Sequence, residues 1–139
     1  MIAHPPCTYL SYCGIRHFNA PGREEKRKAA LDFFLSLFNS PIDKIALENP
    51  VGWINTIWRK PDQIVRPYYF GESEQKNICL CLKNLPKLTY GELLIQKPKP
   101  FKVYKGKNYY YTEKMGSGHK RSRFFTGIAN AMADQWGNL

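Results

Sequence analysis

Two short apolar runs, each ending in polar residues, constrain this fold more than any other feature of the sequence. The first spans residues 2–7 and ends in two prolines and a cysteine. The second spans residues 45–50 and ends in a carboxylate, an amide and a proline. Residues 23–38, between them, have the apolar spacing of a helix. Because a strand, a helix and a strand in this order favour a parallel pair, we predict that both runs end at the same edge of a sheet.

The remaining pattern predicts one α/β domain over residues 1–139. The predicted strands cover residues 44–47, 63–70 and 77–82, and the predicted helices cover residues 23–38, 51–58 and 127–136. The first helix is expected to bury an apolar stripe that comprises Ala30, Phe33, Phe34 and Leu37. Residues 86–123 form a basic insertion with a predicted hairpin around Gly106. Residues 124–139 are expected to pack back on the core as the C-terminal helix.

Positive charge is concentrated in the basic insertion. The chain carries a formal net charge of +10, and residues 96–123 hold nine lysines and arginines against one acid, Glu113. Such a concentration fits a polyanionic partner, and the phosphates of DNA are the simplest choice. Tyrosine rings in the same segment suit stacking on exposed bases. The residues predicted to bind nucleic acid are Lys102, Lys105, Lys107, Tyr109, Lys120, Arg121 and Arg123.

Compartment and metal content are predicted from what the sequence lacks. No apolar run approaches the roughly 20 residues that span a bilayer, and no basic-then-apolar leader precedes a cleavage site. We therefore predict a cytoplasmic protein with no membrane partner. Its four cysteines are predicted to be thiols. His4 with Cys7, and Cys13 with His17, could be read as zinc ligands, but two prolines lie inside the first pair and the remaining spacing fits a zinc site poorly, so zinc is not predicted.

The two apolar runs resemble a pair of motifs in a known enzyme family. Pro-Pro-Cys on one strand and Glu-Asn on a later one resemble the central catalytic motifs of DNA cytosine-5 methyltransferases. In more detail, the chain resembles the C-terminal two thirds of phage-type methylase-like proteins. Five stretches carry this resemblance in the same order along the chain, at residues 2–10, 47–52, 59–71, 79–86 and 127–137.

The resemblance implies both a fold and a chemistry. The fold would be a partial Rossmann-like sheet of the methyltransferase type, mainly parallel, with flanking helices. Cys7 would be the nucleophile that adds to cytosine C6, and Glu48 would be the acid at N3. Asn49 would orient the loop or the base, and the cytosine would be flipped out of duplex DNA. The implied substrate-binding residues are Pro6, Gln75 and Lys76.

The resemblance also implies S-adenosylmethionine as the methyl donor. The family carries a Gly-rich turn before the Pro-Pro-Cys strand and an acid that holds the ribose. Here the Gly-x-Gly at residues 116–118 lies in the basic insertion and follows no apolar strand. The chain alone is therefore expected not to methylate, and a second chain or second copy is predicted to complete the sheet. The alternative is a non-catalytic protein that binds nucleic acid or nucleotides.

Overall fold

The computed structural model describes residues 1–12, 17–91, 97–110 and 124–139. The elements are β1 (Ile2–Ala3), α1 (Arg23–Phe38), β2 (Ile45–Pro50), α2 (Ile54–Ile57), β3 (Gln63–Val65), a 3₁₀-helix (Pro67–Phe70), β4 (Ile78–Lys83), β5 (Lys102–Tyr104), β6 (Lys107–Tyr109) and α3 (Thr126–Trp136). The chain forms two compact units. The first unit comprises Met1–Ile64 and Asn77–Lys87, and the second comprises Val65–Lys76 and Leu88–Leu139. Within the residues described, no helix has the length and apolar character needed to cross a bilayer.

A four-stranded sheet with the order β1-β2-β4-β3 makes this a mixed α/β structure. β1 pairs in parallel with β2, with Ala3 opposite Leu47, which confirms the predicted parallel pair. β2 pairs antiparallel with β4, so the sheet is mixed, and the prediction of a mainly parallel sheet was wrong for this pair. Between β2 and β4 the helical elements are the four-residue helix α2 and the four-residue 3₁₀-helix, and the short strand β3 lies between them. This connection therefore lacks the long helical crossover that parallel neighbours usually need.

β2 is longer than the sequence pattern predicted. The prediction ended this strand before Glu48, whereas pairing with β4 continues through Glu48 and Asn49 to Pro50. Leu80 lies opposite Glu48, and Cys79 lies opposite Asn49. The two polar residues therefore belong to a central strand of the sheet, where burial makes an unpaired polar group costly.

α1 covers the apolar core of the first unit and has the predicted bounds. The core residues are Leu10, Phe34, Ile45, Leu47, Ile54 and Cys81. Phe33, which was predicted to be part of the buried stripe, is 50% exposed, whereas Arg27 is buried. The Arg27 guanidinium stacks 3.7 Å from the centre of the Phe18 ring and donates to the Phe18 carbonyl. Aromatic stacking and this hydrogen bond allow the helix to bury a charged residue.

The second unit joins α3 to the 3₁₀-helix. Residues 67–70 were predicted to be strand, but Pro67 begins a 3₁₀-helix because its ring fixes a helical φ. α3 confirms the predicted C-terminal helix and buries Ile128, Met132 and Trp136. A Cβ on Gly127 would lie 2.2 Å from the Phe70 carbonyl oxygen, so this close approach requires glycine.

The predicted hairpin is present as β5 and β6. Lys105 and Gly106 connect the strands with φ values of 48° and 73°. Two consecutive residues with positive φ form the turn that matches the natural twist of a tight hairpin. Both strands are largely exposed, so their side chains face solvent rather than a core.

Candidate active site and nucleic-acid surface

The parallel pairing of β1 and β2 brings a histidine to the predicted acid. His4 follows Ala3 on the first strand, and Glu48 follows Leu47 on the second, so the register places them side by side. Nδ1 of His4 lies 3.3 Å from Oε2 of Glu48. The side chain of His4 is 42% exposed and that of Glu48 is 13% exposed. His4 therefore contacts solvent, whereas the carboxyl group of Glu48 is nearly buried.

The two oxygens of Glu48 have different surroundings. Oε2 faces His4, whereas Oε1 is buried and has no hydrogen-bond partner among the described residues. A buried carboxyl oxygen without a partner costs free energy, and a ligand that hydrogen-bonds there recovers it. An ionised Glu48 accepts a proton donor at Oε1, and a protonated Glu48 donates from it. The protonated form therefore matches a ring nitrogen that accepts, such as N3 of cytosine, and the ionised form matches an N–H donor.

Asn49 connects β2 to the loop that carries Cys7. Its amide is buried, and Nδ2 donates to the carbonyl oxygen of Pro5 over 3.3 Å. Its Oδ1 is buried without a hydrogen-bond partner in the described part of the chain. Asn49 therefore contacts the backbone two residues before Cys7, and its role in orienting this loop stays a prediction.

The loop after β1 presents Cys7 at a tight turn. The Cys7 carbonyl accepts hydrogen bonds from the backbone N–H groups of Leu10 (3.0 Å) and Ser11 (2.9 Å). Leu10 is fully buried in the core and anchors this turn. Pro6 is exposed and Cys7 is half-buried in the loop that follows β1.

At Gly52 the chain just after β2 approaches the backbone of the Cys7 loop closely. The sequence analysis did not predict this contact. A Cβ on Gly52 would lie 2.2 Å from the Leu10 carbonyl oxygen and 2.5 Å from the Ser11 Cα. Ser11 and Gly52 also form an isolated antiparallel bridge. The available signal was a glycine that follows the Glu-Asn-Pro corner by two residues, because glycine marks close approach of two backbones.

The cysteines on β4 differ from Cys7 in their surroundings. Cys7, Cys79 and Cys81 are free thiols, and Cys13 lies outside the described residues. Burial, the neighbouring Cys81 and the charge of Glu48 raise the pKa of Cys79 to about 12. Burial raises the pKa of Cys81 to about 11. These two side chains therefore pack as small apolar groups, and Cys7 is the half-buried thiol of the three.

The remaining predicted substrate residues belong to the second unit. Gln75 and Lys76 are both half-buried there, and Gln75 Oε1 has no hydrogen-bond partner within the described ranges. Their role in substrate binding stays a prediction.

The hairpin arranges lysines and tyrosines in register. Lys102 lies opposite Tyr109, and Tyr104 lies opposite Lys107, so two cations and two rings share one face of the ribbon. The ammonium groups of Lys102 and Lys105 lie 5.2 Å and 5.5 Å from the centre of the Tyr104 ring. This face offers cations for phosphates and rings for bases. Lys120, Arg121 and Arg123 lie outside the described residues.

The described residues do not fit S-adenosylmethionine. Its usual cradle is a Gly-rich turn that follows a strand and opens a helix. Of the described glycines with positive φ, Gly22 precedes α1 but follows a turn, Gly71 follows the 3₁₀-helix, and Gly106 lies in the hairpin. Glu24 and Glu25 also place negative charge in the first turn of α1.

No three His, Cys, Asp or Glu side chains of the described ranges form a group that could hold a metal ion. Comparisons with protein-family models, curated proteins and solved structures find no match for this chain.

Proposed function

We propose that this chain is a DNA cytosine-5 methyltransferase-like protein whose first unit activates a cytosine for reaction at C5. The observation that carries the proposal is the parallel pairing of β1 and β2, which joins the Cys7 loop to Glu48 and Asn49. The sheet is mixed, with a parallel β1–β2 pair and an antiparallel β2–β4 pair, so the Rossmann-like part of the proposal is supported by the parallel pair alone.

The chemistry divides between the two strand ends. The Cys7 thiolate adds to cytosine C6, because sulfur is a strong nucleophile and later a good leaving group. The electron pair of the C5–C6 bond moves toward N3 through the ring, and Glu48 donates its Oε1 proton to N3. C5 then becomes an enamine carbon that attacks an electrophile. Solvent water takes the C5 proton, expulsion of the thiolate restores the aromatic base, and N3 returns its proton to Glu48.

Methyl transfer needs a donor site that the described residues do not supply. We therefore propose that a second chain or an added cofactor-binding segment provides S-adenosylmethionine, and that the 139 residues alone do not methylate. We therefore expect the chain alone to activate cytosine but not to methylate it.

Cytosine activation can be measured without a methyl donor. In D₂O the enamine carbon takes deuterium from solvent, so elimination of the original C5 proton leaves deuterated cytosine in the DNA. We expect mass spectrometry of digested DNA to show this exchange with the native chain and none with Cys7→Ser. Glu48→Gln should slow exchange by about a hundredfold, the scale of one general acid. Cys13→Ser serves as the matched control, and exchange that survives Cys7→Ser would refute the nucleophile.

A second function is favoured by the exposed hairpin. Its Lys102, Lys107, Tyr104 and Tyr109 face suits a protein that binds nucleic acid without acting on it. This alternative predicts salt-dependent DNA binding with no cytosine exchange under any condition. The exchange assay and a binding titration on the same oligonucleotides therefore separate the two functions.

A further inference from the structure

The carboxyl group of Glu48 has one described side-chain contact that can exchange a proton near neutral pH. From β1, Nδ1 of His4 lies 3.3 Å from Oε2. From β4, Leu80 lies opposite Glu48 without a charge, and the thiol of Cys79 is buried. On β2 itself, the neighbouring Asn49 has an amide that does not titrate. Histidine is the side chain whose charge changes in this pH range.

The two ends of this contact are suited to a relay. The side chain of His4 is 42% exposed, so its imidazole contacts solvent as well as Glu48. Glu48 presents Oε2 to the ring and leaves the buried Oε1 on its other side. A carboxyl group that takes a proton on one oxygen and releases one from the other stays neutral throughout. This avoids a transient unpaired charge in a buried position.

We propose that His4 is a positioning residue that supplies a proton to Glu48 while Glu48 protonates cytosine N3, an inference that rests on the proposed function. As Cys7 adds to C6, N3 takes the proton from Oε1 and Oε2 takes the Nδ1 proton of the His4 imidazolium. The imidazolium becomes neutral, Glu48 is unchanged, and N3 carries the transferred proton. When the thiolate is expelled, both protons return along the same path, so the relay closes within one turnover.

A spectroscopic experiment tests the pairing itself. The hydrogen bond to Glu48 should hold neutral His4 with its proton on Nδ1, because the partner of one ring nitrogen fixes the tautomer. Long-range proton–nitrogen NMR spectra of the native chain at alkaline pH should show this tautomer for His4. Replacement Glu48→Leu removes both oxygens, and His4 should then adopt the Nε2-protonated form. His17 is exposed and serves as the control. An Nε2-protonated His4 in the native chain would overturn the proposal.

The exchange assay tests the relay. The native rate of cytosine exchange should be bell-shaped in pH, with a falling limb that depends on the imidazole of His4. His4→Gln keeps a hydrogen-bond donor but cannot titrate, so the rate should drop by about a hundredfold and the falling limb should disappear. His17→Gln should change neither. In His4→Ala, added imidazole should restore part of the lost rate.

The outcomes separate the relay from the proposed function. If the native chain exchanges cytosine and His4→Gln keeps the same rate and falling limb, His4 has only a structural role and the relay is refuted. If the native chain shows no exchange at any pH, the proposed function fails and the relay fails with it. Circular dichroism of each variant establishes that the fold is retained, so a loss of rate can be assigned to the side chain.

Discussion

The two strand pairs β1–β2 and β5–β6 use polar side chains in opposite ways. At β1–β2 the polar groups are nearly buried and are held by His4, Pro5 and the close approach at Gly52. At β5–β6 the lysines and Tyr104 are exposed, and Lys102 and Lys105 lie over the Tyr104 ring. A buried arrangement fixes the position of a few atoms, as chemistry on one small group requires, whereas an exposed one suits a large and variable anion. The difference predicts that changes in the first pair affect folding and chemistry, and changes in the second affect binding.

Thiol reactivity should show the largest effect. In an assay buffered at about pH 7.5, iodoacetamide is expected to modify Cys7 at least about a hundredfold faster than Cys79 or Cys81. Burial keeps both β4 thiols protonated and therefore unreactive. Peptide mapping by mass spectrometry in a Cys13→Ser background measures the three rates. Equal rates would mean that the end of β1 is no more open to a small molecule than the interior of the sheet.

Two glycine substitutions compare the strand pairs directly. Gly52→Ala should lower the free energy of unfolding by about 2 to 3 kcal/mol, because the new Cβ meets backbone atoms that cannot move aside. Gly106→Ala has open space around it and is strained only by its positive φ, which costs about 1 kcal/mol and affects the hairpin alone. Urea unfolding of both variants measures the difference. A larger loss at Gly106 would reverse the comparison.

A third substitution tests a paired charge in the first unit. Asp62 accepts two hydrogen bonds from Arg59 and one from the backbone N–H of Leu82. Burial opposes ionisation, but these bonds outweigh it and lower the pKa of Asp62. Because the folded pKa is the lower one, the stabilisation is complete above the unfolded pKa of about 3.9 and is lost as the pH falls through the folded value.

Asp62→Asn should therefore cost about 1 to 2 kcal/mol at pH 7, a figure reduced for partial exposure, and should weaken the acid dependence of stability. Asp32→Asn is the matched control, because Asp32 pairs with Lys28 on the exposed surface of α1 and should change stability by less than about 0.5 kcal/mol. Urea unfolding in buffers from about pH 2 to about pH 7 measures the free energy of unfolding of both variants. An unchanged acid limb in Asp62→Asn would show that this carboxylate is not stabilised by its partners.

Substitutions in the hairpin should have the smallest effect on the free energy of unfolding. They should instead weaken the salt dependence of DNA binding. Replacing Lys102, Lys105 and Lys107 by Ala should leave unfolding unchanged, because all three are exposed. The slope of log K against log salt for DNA should become shallower by about 2 to 3, since each lost phosphate contact contributes about 0.7 to 0.9. Replacing the exposed Lys26, Lys60 and Lys87 of the first unit is the control. Equal changes in both triple variants would assign binding to net charge rather than to the hairpin.

Local patterns predicted the elements, whereas long-range pairing decided their details. The bounds of α1 follow from its apolar period and acidic first turn, and the hairpin follows from its glycine turn. The antiparallel direction of β4 and the extension of β2 to Pro50 depend on which strands meet, and no local period carries that information. Burial of Arg27 similarly depends on the Phe18 ring, which lies in a turn before the helix.

The candidate site was partly visible in the sequence. Two apolar runs that end in polar residues identified Cys7, Glu48 and Asn49. His4 was considered only as a metal ligand, because its place beside Glu48 requires the β1–β2 register. Gly52 was missed because its role is spatial rather than conformational: the Leu10 carbonyl occupies the position of its missing side chain.

The central claim is that the ends of β1 and β2 deliver Cys7 and residue 48 to one small ring. Dibromobimane, a compact aromatic reagent that becomes fluorescent when it bridges two thiols, measures this directly in a Glu48→Cys, Cys13→Ser variant. We expect a fluorescent bridge between Cys7 and the new thiol, confirmed by mass spectrometry of the joined peptides. The control is Asp43→Cys, an exposed position before β2 that should not bridge. If Glu48→Cys reacts at each thiol separately and forms no more bridge than Asp43→Cys, the two residues do not share a site and the account is wrong.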